Sequence, residues 1–274
     1  NFERYNHKRH IIYKIGQTMA WLAADADFNP DQLGLNVIGI ASEIARHDSG
    51  EHAHKMGQLL FTNSGSIRIT LSGQLCILPP AHIAWIPPDT THRAEMSQVT
   101  GYRSVYINTV QYPVLPKEVK VLQVSPLLKE ILERIAFADF DTDWSKRPFL
   151  DLFNVGLNEI ETAPSVSVIL QFPTDRRLRK FLGTELLPHL NVFADLVGLS
   201  EKTIGRIFLR ETDLNYQQWR QQWRFLKAIE LLSKNEKISV ISHHLGFSCE
   251  SAFISFFKRM SGKSPRMLIK KDQS

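Results

Sequence analysis

The 274-residue chain is 43% hydrophobic and 22% charged, a composition that suits one or two globular domains with cores of their own. It has no apolar run near the ~18 residues of a membrane span and no signal-peptide pattern, so we expect a cytoplasmic protein without a membrane partner. The net charge of +5 is unevenly spread, because residues 174–274 carry 18 Lys and Arg against 10 Asp and Glu. A basic C-terminal third on a mildly acidic body indicates a nucleic-acid-binding module attached to another domain.

The segment 35–108 is predicted to form a β-sandwich or a small barrel. Short β-rich runs alternate there with turn signals, which are Ser64-Gly65, Ser72-Gly73, Pro79-Pro80 and Pro87-Pro88. Regularly spaced short strands are typical of such folds, and proline belongs at the ends or edges of strands.

Histidines stand at motif spacing within these predicted strands. His52 and His54 are two residues apart, Gln58 follows four residues later, and His92 comes after the second proline pair. Residues i and i+2 of a strand face the same side, so His52 and His54 can both point into a barrel. This arrangement resembles the two motifs of the cupin barrel.

The cupin resemblance implies a ligand site in the barrel. It places one divalent metal at His52, His54, Gln58 and His92, and neutral imidazoles suit Zn, Fe, Ni or Cu. Gln58 stands where cupins usually carry Glu, which makes it a weaker, uncharged ligand. The alternative is a pocket for a small-molecule effector without metal, lined by the same residues and Trp85, which is expected in the core or the pocket wall.

Two helices are predicted after the barrel, over 125–139 and about 147–162. Pro126 suits the first position of the first helix. The second carries Leu150, Phe153, Leu157 and Ile160 on one face. The pair either covers the barrel or forms the contact of a homodimer, and the second interpretation is slightly favoured. The segment 163–173 reads as a linker.

The C-terminal third repeats one pattern twice. A short apolar helix ends at Gly198 or Gly246, one hydrophobic residue follows, and Ser200 or Ser248 precedes a second helix. Gly suits the left-handed residue after a helix, and Ser suits the N-cap of the next helix. Helix, Gly turn and capped helix is the helix-turn-helix pattern, here present in two units joined by a long helix over 215–232.

Further helix boundaries and burial follow from helical spacing. We expect one basic helix over 175–187, with Asn191 capping the helix that follows it. The inner residues predicted for the first unit are Leu196, Leu199, Ile204, Ile207 and Phe208. The stripe predicted as core on the long helix is Trp219, Trp223, Leu226 and Ile229, with Arg220 and Arg224 beside it in contact with phosphates or solvent.

The candidate DNA contacts lie on the second helix of each unit, which enters the major groove in helix-turn-helix proteins. Arg206 is the best candidate for a base contact, because Arg bridges guanine O6 and N7. Lys202 suits a base or a phosphate, and Ser200 and Thr203 suit phosphates. Glu250, Ser251 and Ser255 occupy the corresponding face of the second unit. Glu250 either accepts from a cytosine amino group or repels phosphates.

The stretch over about 175–270 resembles the AraC-type bacterial transcription regulators. Its ending, GF…SAF…FFKRMSGKSP, is close to the ending of that family. The resemblance implies an N-terminal cupin-like sensor barrel and a C-terminal module that binds double-stranded DNA. Gly205 stands where a long side chain often reads DNA, which leaves fewer base contacts in the first unit.

The sequence therefore predicts an α+β protein with a cupin-like domain over 1–162, a linker over 163–173 and a double helix-turn-helix domain over 174–274. The predicted function is transcription regulation in response to a small effector, with RNA polymerase as a further partner if the protein is an activator. The alternative is a metal-dependent cupin oxygenase or isomerase with an accessory nucleic-acid-binding domain. A third interpretation is a regulator without a ligand, which an interior filled by the barrel's own side chains would favour.

Overall fold

The structure is a computed structural model that describes residues 28–43, 46–166, 168–182 and 186–269. Strands dominate its first part and helices its last part, so the predicted α+β class is confirmed. The strands are β1 (Val37–Ser42), β2 (Arg46–Asp48), β3 (Gly57–Leu71), β4 (Gln74–Leu78), β5 (His82–Ile86), β6 (His92–Ile107), β7 (Lys120–Gln123) and β8 (Ile169–Gln171).

Two helices follow the seventh strand, and seven more follow the eighth. They are α1 (Pro126–Ala136), α2 (Phe149–Thr162), α3 (Arg176–Arg179), α4 (Leu190–Val197), α5 (Glu201–Thr212), α6 (Tyr216–Ser233), α7 (Ile238–His244), α8 (Glu250–Ser261) and α9 (Pro265–Ile269). Among the helices of the described ranges, none has the length and apolar character that crossing a bilayer requires.

The eight strands form one antiparallel sheet whose central path runs β1-β6-β3-β4-β8. β2 pairs with β6, and β5 joins β3 to β7. Three of the four predicted turn signals do separate strands. Ser64-Gly65 does not, because β3 continues through a β-bulge at which the register with β6 shifts between Ser64 and Ser66. Gly65 adopts φ 82° there, a conformation that glycine takes without steric cost.

The helices α1 and α2 cover one face of the sheet. Ser125 Oγ accepts from the Leu128 N–H at 3.0 Å, and Pro126 occupies the first turn, so α1 begins where the sequence predicts. Ile135 of α1 and Phe153 of α2 pack in one cluster with Leu59 and Trp85 of the sheet. The two helices therefore cover the barrel, in agreement with one of the two interpretations.

The second half of β3 alternates between two environments. Ile67 and Ile69 are fully buried among apolar neighbours of the barrel, including Ala94 and Met96. Arg68, between them in sequence, faces the other side, where it contacts Glu230 of α6. This alternation is the ordinary period of a strand with one face on the barrel core and one face on another element.

The helical C-terminal part is docked on that outer face. Ser233 Oγ at the end of α6 donates to Ser66 Oγ of β3 at 2.7 Å. The Trp219 indole N–H donates to the carbonyl oxygen of Gln171 in β8 at 2.7 Å. The segment predicted as a linker therefore contains a strand, β8, that pairs with β4 on one side and meets α6 on the other.

Two local predictions in the C-terminal part are wrong. Among the described residues 175–182 and 186–187, the expected basic helix is only α3, which ends at Arg179, and residues 183–185 of the prediction lie outside the described ranges. Arg176 and Lys180 are like charges four residues apart, which disfavours extending a helix, and Phe181 turns toward the ring of Phe193 instead. Asn191 does not cap the next helix, because α4 begins at Leu190 with His189 at the N-cap.

Candidate functional site

The first helix-turn-helix unit consists of α4 and α5. α4 ends at Gly198, which adopts φ 72°, and the Gly198 N–H donates to the Ala194 carbonyl oxygen at 2.9 Å. Ser200 Oγ then accepts from the Thr203 N–H at 3.2 Å, which caps α5. Both features match the sequence prediction, because a left-handed Gly and a Ser N-cap are local signals.

The exposed face of α5 carries the predicted DNA-contacting residues. Ile204, Ile207 and Phe208 are buried on the opposite face. Lys202 and Arg206 are exposed and lie one turn apart on this face. Ser200, at the N-cap, is also exposed, and Thr203 is half-buried. Neither cation makes an ion pair with any residue in the described part of the chain, so both are available to phosphates or base edges.

The second unit consists of α7 and α8 and has a longer turn. Gly246 adopts φ 69°, but α8 begins at Glu250 with Cys249 at its N-cap. The predicted cap, Ser248, is therefore displaced by one residue, because this turn contains one residue more than the first. Cys249 makes no side-chain cap hydrogen bond to the backbone.

The exposed face of α8 corresponds to that of α5 residue by residue. Phe253, Phe256 and Phe257 are buried at the positions that Ile204, Ile207 and Phe208 hold in α5. Glu250, Ser251 and Ser255 are all exposed on the other face. In this alignment of the two helices, Ser255 is equivalent to Arg206 and Ser251 is equivalent to Lys202. The exposed face of α8 therefore lacks the two cations that α5 carries.

The barrel brings together the three predicted histidines. Atoms of His52, His54 and His92 that can bind a metal lie within 4.8 Å of one another. The His52 and His92 rings have centroids 4.3 Å apart, and the His54 and His92 rings 5.2 Å apart. His52 and His92 pair as an isolated bridge beyond the end of β2, which fixes these two rings side by side.

All three imidazoles are held by the same kind of hydrogen bond. Each Nδ1 lies next to a backbone carbonyl two residues away, and the distances are 3.0 Å from His52 to Gly50, 2.5 Å from His54 to Met56 and 2.8 Å from His92 to Thr90. A carbonyl oxygen can only accept, so in the neutral form of each ring Nδ1 carries the proton and Nε2 keeps its lone pair. This is the arrangement that orients histidine ligands in metal sites.

Burial keeps two of these rings neutral. It lowers the pKa of His92 to about 4, and it lowers the pKa of His54 as well, although hydrogen bonds to Thr90 and to Met56 oppose the shift. The nearby His52 lowers both pKa values further. Neutral imidazole is the form that binds a metal ion.

Gln58 completes the cluster. Its amide nitrogen donates to Ser104 Oγ at 2.8 Å and to Tyr106 Oη at 3.0 Å, which turns its oxygen toward His54 Nε2 at 3.2 Å. Two lone pairs then face each other, an arrangement that a cation between them would relieve. A rotated amide would instead donate to Nε2, so the donor set suits a divalent metal and also has a metal-free hydrogen-bonded form.

Trp85 does not join this cluster. It neighbours Leu59 across the β3–β5 pair and lies in the core beneath α1, where its indole N–H donates to the Pro116 carbonyl oxygen at 2.7 Å. Gln58, next to Leu59, points to the other face of the strand. A cavity of about 10 Å³ also lies on the helix-covered side, lined by Leu59 and Phe153 among others, and it is too small for an organic effector.

Comparison with known protein families identifies both parts of the chain. Residues 193–271 match a family model described as a helix-turn-helix domain, and residues 34–140 match one described as an AraC-like ligand-binding domain. The chain belongs to the AraC-type transcriptional regulators. The residues that match the ligand-binding domain include the histidine cluster, and those that match the helix-turn-helix domain include the exposed faces of α5 and α8.

Relatives of this AraC-type protein carry regulator names. It is 26% identical to the HTH-type transcriptional regulator NimR of Escherichia coli K12 over 80% of this chain and 81% of NimR. It is 38% identical to the HTH-type transcriptional activator CsvR of Escherichia coli over 29% of this chain and 30% of CsvR. Among solved structures, ToxT from Vibrio cholerae O395 aligns over 87% of this chain and 98% of its own, with 13% identity and a TM-score of 0.35.

Sequence reasoning misplaced three residues of the AraC-type module. Leu196, expected on the inner face of α4, is 58% exposed. Arg220 and Arg224, expected at phosphates or in solvent, are only 4% and 9% exposed and lie within the module. The signal that would have indicated their burial is position, because each is adjacent to a tryptophan of the predicted core stripe and one turn from the other.

Proposed function

We propose that this AraC-type regulator binds double-stranded DNA through α5 and α8, which enter successive major-groove segments of one duplex. The observation that carries the proposal is the correspondence of two helices that each follow a left-handed Gly turn, with a buried apolar row and an exposed polar row at matching positions. Helix-turn-helix proteins use the exposed N-terminal half of such a helix to contact base edges.

Within this proposal, the first unit supplies most of the base recognition. Arg206 bridges the O6 and N7 atoms of a guanine, and Lys202 contacts a base or a phosphate. Ser200 and Thr203 contact phosphates near the N-terminus of α5, where backbone N–H groups also favour anions. Glu250, Ser251 and Ser255 of α8 supply fewer and weaker contacts because none is a cation.

The substitution Arg206→Ala tests this assignment. We expect it to lower the affinity for the selected site by ~1–3 kcal/mol and to relax the preference at one base pair. The site is obtained by selection from a random duplex library, and affinities are measured at fixed salt on selected and scrambled DNA. An equal loss on both DNAs would make Arg206 a phosphate contact, and no sequence preference in the wild type would overturn the proposed function.

The ligand site of the barrel is the histidine cluster in this proposal. His52, His54 and His92 would hold one divalent transition metal through Nε2, with Gln58 Oε1 as a further donor. Support comes from the three Nδ1 atoms bonded to carbonyl oxygens, which leave Nε2 as the nitrogen free to bind a metal, and from the 4.8 Å within which one possible ligand atom of each ring lies. A bound metal supplies a positive centre with open positions for an oxygen or nitrogen of an effector.

The size of the interior favours a small ligand. The barrel beyond the bulge is filled by apolar side chains such as Ile67, Ile69 and Met96. A metal ion, alone or with a small polar molecule, therefore fits better than a bulky apolar effector. A regulator without any ligand is the outcome if neither metal nor small anions bind the purified protein.

The outer side of α1 and α2 is proposed as a homodimer contact. Leu127 on α1 and Val155 on α2 are exposed although the opposite faces of both helices are buried. Leu127→Glu should then convert a dimer to a monomer in light scattering, and a monomeric wild type would overturn the assignment. Contact with RNA polymerase belongs to the proposal only if transcription rises on DNA binding.

A further inference from the structure

Two arginines are buried side by side in the long helix that joins the two helix-turn-helix units. Arg220 and Arg224 are four residues apart on α6, so they lie on one face, about 6 Å apart along the axis. Arg220 is 4% exposed and Arg224 is 9% exposed. Within the described residues, neither guanidinium forms an ion pair with a carboxylate.

This arrangement is costly. Burial, together with the charge of Arg220, lowers the pKa of Arg224 to about 10, and burial also lowers the pKa of Arg220. Arg220 Nη1 and Arg224 Nε have no hydrogen-bond partner in the described structure. Burying an unpaired charge is far less favourable than burying an aliphatic chain of the same length. Packing alone therefore does not account for arginine at these positions.

The two guanidinium groups bind the backbone at two different places: Arg220 just before the first helix-turn-helix unit and Arg224 within the second. Arg220 Nε donates to the Leu187 carbonyl oxygen at 2.5 Å, three residues before α4. Tyr216 Oη, one turn earlier on α6, donates to the Pro188 carbonyl oxygen at 2.8 Å. This end of α6 is therefore attached to the segment that leads into the first unit.

The next turn of the same helix is bound to the second unit. Arg224 Nη2 donates to the Gly246 carbonyl oxygen at 3.0 Å, in the turn between α7 and α8. The guanidinium also lies 4.6 Å above the ring of Phe247, the residue after the glycine. A Cβ at Gly246 would lie 3.2 Å from Arg224 Nη2, so the turn backbone lies directly against the guanidinium.

We propose that Arg220 and Arg224 are positioning residues that fix the separation of α5 and α8, and hence the spacing between the two half-sites that the protein prefers on DNA. This inference rests on the proposed function, because it requires both helices to read one duplex. Neither arginine contacts a base in this proposal. Each arginine holds one unit, or the segment that leads into it, against α6 by a hydrogen bond to a backbone carbonyl oxygen. The two arginines are separated by about one helical turn, which sets the distance between the two attachment points.

The dependence of DNA affinity on half-site spacing distinguishes a positioning role of these arginines from a purely stabilising role. A protein with two rigidly spaced reading helices loses affinity when one base pair is inserted between its half-sites, because the second helix moves out of register with the groove. A protein with loosely joined units tolerates the insertion, although its affinity for the correct spacing is lower. A merely structural arginine would change stability without changing this tolerance.

The experiment uses the full-length chain with Arg224→Met, Arg220→Met and the conservative Arg224→Lys. The control is Arg177→Met, since Arg177 is 53% exposed, pairs with Asp175 and carries the same charge outside both units. Three duplexes from the selected sequence are compared: both half-sites at the selected spacing, both with one base pair inserted, and the first half-site alone. Dissociation constants are measured at one salt concentration.

We expect Arg224→Met to bind the first half-site alone like the wild type, and to bind the full site about tenfold more weakly, the typical worth of a charged hydrogen bond. For Arg224→Met, the ratio of the dissociation constant at the lengthened spacing to that at the selected spacing should fall toward one. Arg177→Met should keep the wild-type ratio. Arg220→Met should also bring this ratio closer to one. Arg224→Lys should keep part of the wild-type preference for the selected spacing.

An unchanged spacing ratio in both methionine variants overturns the inference while leaving the proposed function intact. A wild type without any spacing preference overturns it as well. If Arg224→Met does not melt cooperatively, Arg220→Met and Arg224→Lys carry the same comparison, because the first acts on the other unit and the second retains a donor.

Discussion

Arg68 of the barrel and Glu230 of the long helix α6 form an ion pair across the two halves of the protein. Arg68 Nη1 lies 3.8 Å from Glu230 Oε2, and Arg68 Nε lies 3.7 Å from Glu95 Oε2 on the neighbouring strand β6. Glu95 is three residues from His92 on the same strand. The helix that joins the two helix-turn-helix units is thus linked through Arg68 of β3 to β6, the strand that carries His92, which gives the proposed ligand site a short route to the C-terminal half.

The first prediction concerns the charge of Glu230. The carboxylate is bound by Lys227 at 3.1 Å and by Lys234 at 2.8 Å besides Arg68. Glu230→Gln would leave three cations without the anion that they share. We expect it to lower the free energy of unfolding by about 1–3 kcal/mol at neutral pH. Urea denaturation measures the change, and Glu236→Gln, at an exposed carboxylate beyond α6, is the matched control.

The pH dependence of this effect has a definite sign. Burial raises the pKa of Glu230, but Lys234 and Lys227 outweigh it and hold the pKa below the ordinary value of 4.5. A depressed folded-state pKa stabilises the protein above 4.5, and this contribution is lost as the pH falls through the folded pKa. The difference between wild type and Glu230→Gln should therefore vanish toward acidic pH. A difference that stays constant from pH 6 to pH 3 would contradict the ion-pair explanation.

The second prediction concerns metal binding. The purified protein should bind one equivalent of Co²⁺ or Zn²⁺ at neutral pH, and His54→Ala or His92→Ala should weaken binding by more than the ~10–100-fold that outer-shell changes cost. His243→Ala, at an exposed histidine of α7, is the control. Gln58→Glu should tighten binding because it replaces a neutral donor with a charged one. Equal binding by His54→Ala and His243→Ala would exclude the cluster as the site.

The third prediction distinguishes the two roles considered for Glu250. If this carboxylate mainly repels phosphates, Glu250→Gln should tighten binding to selected and scrambled duplexes by the same factor, with a steeper salt dependence. If it accepts from a cytosine amino group, the variant should instead lose preference at one base pair by ~1–3 kcal/mol. We expect the first result, because Ser251 and Ser255 beside Glu250 add no positive charge. Ser255→Ala is the control for loss of a side chain on the same face.

Features with local causes could be predicted from the sequence. A Ser N-cap and a left-handed Gly each depend on a few neighbouring residues, so Ser200 and Gly198 were assigned correctly. The histidine cluster was also accessible, because a two-residue spacing on a strand and a third His after a proline turn define it. The match in burial between α5 and α8 follows from the internal repeat.

Features that depend on distant partners could not be predicted. β8 is a strand only because β4 offers a free edge and α6 contacts its other side, and no residue within 163–173 indicates this. The burial of Arg220 and Arg224 depends on carbonyl oxygens of Leu187 and Gly246, which are remote in sequence. Arginine side chains are usually exposed, and these two are buried only because both units pack around α6.

The fourth prediction compares two glycines that differ in the space around them. At Gly205, on the exposed face of α5, a Cβ would meet nothing within 4 Å, so Gly205→Ala should stabilise the protein by about 0.5–1 kcal/mol through helix propensity. At Gly39 of β1, a Cβ would lie 1.8 Å from the Ile135 carbonyl oxygen, so Gly39→Ala must push α1 away from the sheet at a cost of about 1–3 kcal/mol or more. Chemical denaturation without DNA measures both changes. A neutral Gly39→Ala would show that α1 does not rest on β1, and a destabilising Gly205→Ala would show that the exposed face of α5 is covered by another part of the protein.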